Sequence, residues 1–248
     1  MTIVPLPSLY TCRYHLMKTL LSAVACLLFC LTCQAADPRF TVISVNTEHE
    51  ELQLFLRDEN GKGFKRFDTL KTWLAGKNRQ LHFAMNAGMY HADYSPVGLF
   101  VQNSEQVTAL NLADAWGNFF LKPNGVFLLT PAGPQVIESS EYPALAKDVL
   151  LATQSGPLLL RNGQIHPAFK QESTSRLKRN GVGVIGKKAI FVISEQPVNF
   201  HEMATFFRDS LHCQDALYLD GSISGIYSIE LKRNDNTVDL GPIIGVVR

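Results

Sequence analysis

Beyond residue 35 the 248-residue chain has a single cysteine, Cys213; the other four, Cys12, Cys26, Cys30 and Cys33, all precede it. Without that early segment the chain cannot close an internal disulfide, so the fold must rest on its apolar core. Neither charge is in excess, with 23 Lys plus Arg against 22 Asp plus Glu. This balance gives no basic footprint for nucleic acid or an anionic lipid surface, and any anion must be bound locally. The sequence has no internal repeat, linker or low-complexity stretch, and its length argues for one domain rather than two. The seven histidines show no closed zinc spacing. A nucleophile elbow is also missing, because Ser155 in Thr153-Gln154-Ser155-Gly156-Pro157 lacks a glycine two places before it.

The first 35 residues contain Met17-Lys18, an apolar run from Leu20 to Leu31 and small residues at Ala35-Ala36. This is the anatomy of a secretory signal, and the run is short for a membrane span of about 20 residues. The expectation is a signal segment over 1–35, with its true start at Met17, and an exported product over 36–248, periplasmic or secreted, with no stable membrane span. An uncleaved anchor and a lipobox at Cys26 are the competing readings. Cys213 follows a helical pattern and precedes an apolar strand, which reads as a buried structural thiol.

Strand-like residues at 40–46 and 52–57, joined by a polar turn, read as an opening hairpin. Asp68 is placed to cap a short helix carrying Leu70, Trp73 and Leu74 on one face and ending at Gly76. Apolar strands are predicted at 81–85, 97–101, 125–129, 157–160, 182–185, 189–193, 216–219 and 226–231. Hairpin turns are predicted at Asn162-Gly163 and Gly186-Lys187-Lys188. The clearest helix runs from Phe200 to about Leu211, with Asn199 and Glu202 in a capping box. The fold class is therefore α+β: a single domain with a mixed, largely antiparallel β-sheet core flanked by a few helices.

Three segments place polar residues beside glycines at the ends of apolar strands, where backbone can approach a ligand closely: 86–90, 179–183 and 220–225. With SPVGL at 95–99, GNFFLKPNGVF at 117–127, QSGPLL at 154–159 and ALYLDGSISGIY at 216–227, the NAGMY and RNGVGV segments resemble the phosphodiester glycosidase family. The likeness is to the uncovering-enzyme type of domain and spans about 80–230. It is nearest to the family's bacterial branch of uncharacterised exported proteins.

The resemblance implies hydrolysis of a sugar joined through its anomeric oxygen to a phosphodiester, in an envelope or extracellular glycoconjugate. The alternative is a non-catalytic phosphoglycan-binding module of the same fold. On the catalytic reading, Asp220 is the general base or electrostatic stabiliser, Glu195 a second carboxylate and Asn86 an orienting carboxamide. Arg179 is the expected phosphate fork, aided by amides around Gly181 and Gly221 and by Ser222 and Ser224, with Gln154 and Ser155 lining the floor. Trp116, Phe119 and Phe120 offer either a sugar-facing wall or core packing. His91 with Asp93 and His201 with Glu202 supply metal-ligand types, but the second pair diverges at a helix start. No metal or other cofactor is expected, and a structural calcium held by loop oxygens stays open.

Overall fold

A computed structural model describes residues 37–145, 147–221, 223–235 and 238–248. The signal segment and its four cysteines lie outside the described residues, as does Ser222. The strands are β1 (Phe40–Asn46), β2 (Glu51–Phe55), β3 (Leu81–Asn86), β4 (Phe100–Gln102), β5 (Glu105–Thr108), β6 (Gly125–Thr130), β7 (Gly133–Glu138) and β8 (Leu151–Ser155). They continue with β9 (Leu158–Arg161), β10 (Gln164–Ile165), β11 (Asn180–Ile185), β12 (Lys188–Ser194), β13 (Ala216–Asp220), β14 (Ile226–Ser228), β15 (Arg233–Asn234) and β16 (Ile243–Val247). Helices are α1 (Phe67–Ala75), α2 (Tyr142–Leu145) and α3 (Phe200–Thr205).

The described strands form three sheets, ordered β1-β12-β11-β13-β9-β10, β15-β14-β3-β16-β2 and β5-β4-β8-β6-β7. Every described pairing is antiparallel. Strands β6, β8 and β16 are buried at every position, because one face meets a shared core and the other is covered from outside. All three sheets contribute to that core, through residues such as Phe83, Phe127, Phe191, Leu219 and Ile244. Outside the first sheet, α3 packs Met203 and Ala204 against Ala216 and Tyr218. Outside the second, α1 packs Phe67, Leu70 and Leu74 against Leu81 and Ile243. Residues Pro38–Arg248 form one compact unit, an α+β domain with little helix.

Several expectations need correction. Strands β1 and β2 are not a hairpin: β1 pairs with β12 in the first sheet and β2 with β16 in the second. Both send apolar side chains, Val45 and Leu54 among them, into the shared core, so alternation identified their faces but not their partners. Asp68 does not cap α1, whose N-cap is Arg66; it lies in the first turn and accepts from Asn234 Nδ2 at 3.0 Å. The helix from Phe200 changes to a π turn over Phe206–Ser210, although its Asn199–Glu202 capping box forms as expected. Cys213 is fully buried, and burial, then the charge of Asp215, pushes its thiol up to about 12.

Candidate active site

Asn86 ends β3, Asn180 begins β11 and Asp220 ends β13, so three apolar strands deliver polar residues to one point. Asn180 stands opposite Asp220 in the first sheet, and its carboxamide crosses to the second. Asn180 Nδ2 donates to the Asn86 carbonyl at 2.9 Å and to Asn86 Oδ1 at 3.2 Å. Asn86 Oδ1 accepts from the Gly225 amide at 3.0 Å, and Asn180 Oδ1 from the Asp220 amide at 3.0 Å. Both carboxamides are buried, and together they clamp the start and end of the 220–225 loop. Asn86 thus acts as a positioning group within the clamp. Asn180 went unrecognised as a separate site residue because Asn before Gly is an ordinary turn signal.

Asp220 is half-buried at the rim of this clamp, with Oδ1 accepting from the Gly221 amide at 2.6 Å. Ser224 Oγ donates to the Asp220 carbonyl at 3.1 Å. Ser155 Oγ donates to the Leu219 carbonyl at 2.7 Å, fixing the strand end that presents Asp220. Ser155 is fully buried, so it supports the site from below and does not line it.

Arg179 joins the cluster, but not as an open fork. It is fully buried, and Nε donates to Val198 O at 2.9 Å, Nη2 to Ser175 O at 3.0 Å and Nη1 to Tyr218 Oη at 3.3 Å. Its guanidinium carbon lies 3.9 Å from the centre of the Phe200 ring. Among the described residues no carboxylate forms an ion pair with it, and burial lowers its pKa. A Cβ on Gly221 would lie 2.0 Å from Tyr218 Oη and 3.5 Å from Arg179 Nη1, so the loop backbone rests directly on the Tyr218–Arg179 pair. The expected direct grip on phosphate therefore becomes a buried positive charge beneath Gly221. In a low-dielectric surrounding that charge acts through space.

Other expected groups have different tasks. Glu195 accepts from Thr41 Oγ1 and pairs with Arg233, with the central strand β11 between its strand β12 and the β13 of Asp220. Burial alone would raise its pKa, but the Thr41 hydroxyl and the Arg233 and Lys178 charges hold it below the usual carboxylate range. A carboxyl held ionised in this way is a poor general acid. Gln154 spends its carboxamide internally: Oε1 accepts from Leu99 and Asn111 amides, and Nε2 donates to Asn111 O and Ser139 Oγ. Gly181 lies inside β11 between β12 and β13, where a Cβ would meet Leu217 O at 2.8 Å; it is a packing glycine and not an anion nest. The Gly221 amide is likewise taken by Asp220.

The aromatic wall is also displaced from its expected position. Trp116 is 97% exposed and Phe119 is buried. Tyr90, in the first polar segment, stacks with Tyr94 at 5.9 Å and donates to Asp239 O at 3.0 Å. Its hydroxyl is pushed up to about 12 by burial first, then by the charge of Asp220, so ring and carboxylate share one neighbourhood. The signal that could have found Tyr90 is its place in the NAGMY segment itself. His91 and Asp93 form a turn in which Asp93 Oδ1 accepts from the Ser95 amide and hydroxyl. Among the described residues no three metal-ligating side chains cluster, and no helix is long and apolar enough to cross a membrane.

The glycine of the SPVGL segment can be tested through Gln154. A Cβ on Gly98 would lie 2.2 Å from Gln154 Oε1 and 2.7 Å from Phe119 Cζ. Gly98→Ala is expected to cost about 1–3 kcal/mol through overpacking, seen as a lower denaturation midpoint with no change in denaturant slope.

Comparison with known proteins gives concordant results. The family model for phosphodiester glycosidase matches residues 79–241. An uncharacterised Escherichia coli protein, YigE, is 36% identical over 200 residues, covering 79% of this chain and 77% of that protein. The fold is similar to the catalytic domain of zebrafish N-acetylglucosamine-1-phosphodiester alpha-N-acetylglucosaminidase, solved auto-inhibited by its pro-peptide. That match has a TM-score of 0.56 and 13% identity, and covers 86% of this chain and 84% of the other. A hypothetical protein from Synechocystis matches with a TM-score of 0.50 and 15% identity, over 84% of this chain and 59% of that one. The family model takes in all three polar segments that meet at the Asn86–Asn180 clamp, and on this match the chain belongs to the phosphodiester glycosidase family.

Proposed function

We propose that this chain is an exported hydrolase, working in the periplasm or outside the cell, that cleaves a sugar from a glycosyl phosphodiester of an envelope or extracellular glycoconjugate. The observation that carries this reading is the meeting of Asn86, Asn180 and Asp220, with Asp220 alone of the three reaching the surface. Water attacks the anomeric carbon and forms the new C–O bond. The bond from that carbon to the phosphate oxygen breaks, and a phosphate monoester departs with the electron pair. Asp220 orients the water and takes its proton, or stabilises the positive charge that develops on the sugar. A phosphate leaving group is already acidic, so the reaction needs no strong general acid; this agrees with Glu195 being committed to Arg233. The buried Arg179 charge offsets the phosphate through Gly221, and the Tyr90–Tyr94 pair walls the sugar ring.

No step in this scheme uses a metal. The test is release of reducing sugar by the purified protein from a panel of sugar 1-phosphodiesters, with and without chelator. The name of the zebrafish relative makes N-acetylglucosamine the first sugar to try. Turnover that persists in chelator is expected. Binding of phosphoglycans with no release from any member of the panel would instead support a binding module.

A further inference from the structure

A second cleft lies on the same face of the first sheet as Asp220. Side chains alternate along β13, so Tyr218 and Asp220 point to one side while Leu217 and Leu219 enter the central core. On that outer side Tyr218 meets Phe200 edge-on at 4.8 Å, and Phe200 stacks on Phe169 at 4.9 Å. Beyond them opens a cleft of about 430 Å³ whose lining includes Ala168, Phe169, Lys170, Glu172, Thr174 and Phe200.

We propose that this cleft is the subsite for the alcohol on the far side of the phosphate, and that it takes a hydroxylated alcohol such as a sugar ring. The inference rests on the hydrolase reading given above. Continuity comes first: Phe200 is both a wall of the cleft and the ring against which the Arg179 guanidinium is packed. The loop forming the cleft is tied to the same support, since Ser175 O accepts from Arg179 and Gln171 O and Ser173 O accept from Asn199. A group held here therefore sits beside the cation that faces the phosphate.

The lining chemistry sets the class of ligand. Phe169 has one face covered by His166 and the other by Phe200, so the rings turn edges rather than broad faces to the cleft. Lys170, Glu172 and Thr174 are exposed and add a cation, a carboxylate and a hydroxyl. An alkyl chain would leave these three groups without partners, whereas the hydroxyls of a sugar or polyol can satisfy them.

The test compares three diesters of the same sugar 1-phosphate: one ending in methyl, one in hexyl and one in the 6-oxygen of a methyl hexoside. The purified full chain is expected to show kcat/KM about tenfold higher for the hexoside diester than for the methyl diester, a gain of the size that a few added contacts provide. Ala168→Trp, which fills the cleft from an exposed loop position, is expected to erase that preference while leaving methyl-diester turnover within about twofold. Thr174→Val removes one hydroxyl at nearly constant shape and is expected to lower only the hexoside value, by about fivefold. If Ala168→Trp does not fold, Thr174→Val alone decides.

No preference in the wild type, or equal losses on both diesters in the variants, overturns the subsite while leaving the hydrolase reading standing. A hexyl diester matching the hexoside overturns the hydroxylated class. Turnover of none of the three overturns the hydrolase reading and the subsite together.

Discussion

Asp220→Asn is expected to lower kcat on a sugar 1-phosphodiester by about 10²- to 10⁴-fold, the range that general acid–base groups contribute, with little change in KM. The substitution is close to isosteric and keeps an oxygen able to accept from the Gly221 amide, so the 220–225 loop has reason to hold its shape. What it removes is the negative charge that receives a proton or faces a developing cation. Asn86 and Asn180 stay in place to present the residue, because their bonds to this loop run to backbone amides at 220 and 225. Steady-state kinetics with thermal unfolding of the same preparations separates chemistry from folding. A folded variant with wild-type turnover would remove Asp220 from the reaction. Glu195→Gln is the matched control: it breaks the link to Arg233 and Thr41 at the end of β12 and is expected to keep turnover.

The convergence of three strand ends could be read from the sequence because each polar cluster follows or precedes an uninterrupted apolar run. Which strand pairs with which could not. Phe40–Asn46 and Glu51–Phe55 show their buried positions plainly, yet they belong to different sheets because their partners, β12 and β16, lie far along the chain. Strand β16 went unpredicted since Ile243–Val247 is buried on both faces and lacks the alternation that marks a half-exposed strand. At the site, a charged residue beside Asn-Gly suggests an exposed fork. The rings that enclose Arg179 come from Phe200 and Tyr218, at distances in sequence that no local pattern reports. Gln154 misled in the opposite sense: a carboxamide near glycines resembles a ligand group, but four internal hydrogen bonds use it to fix the strand entry at Leu99 and the loop at Asn111.

Arg179→Met is expected to be the most damaging single change to the fold around the site. Methionine nearly matches the length of the stem and fills much of its volume, so cavity formation is limited. It cannot donate, however, and three buried or half-buried acceptors, Val198 O, Ser175 O and Tyr218 Oη, lose their partner together. Each such loss costs about 1–3 kcal/mol, and the stacking on Phe200 goes with them. The expected total is about 3–5 kcal/mol, less than a simple sum because the groups share one network. For a domain of this size that lowers Tm by roughly 10 °C. Arg179→Lys keeps the positive charge but replaces a planar fork by a single ammonium, which cannot reach all three acceptors or stack flat on a ring. Its stability should fall between wild type and the Met variant.

The two variants then diverge in kinetics. If the buried charge beneath Gly221 offsets the substrate phosphate, Lys should keep measurable turnover at a raised KM, while Met should lose most of kcat/KM even at temperatures where it is folded. Equal turnover in the two variants, measured below both unfolding transitions, would make Arg179 a purely structural brace and leave the phosphate to be met by other groups around the 220–225 loop.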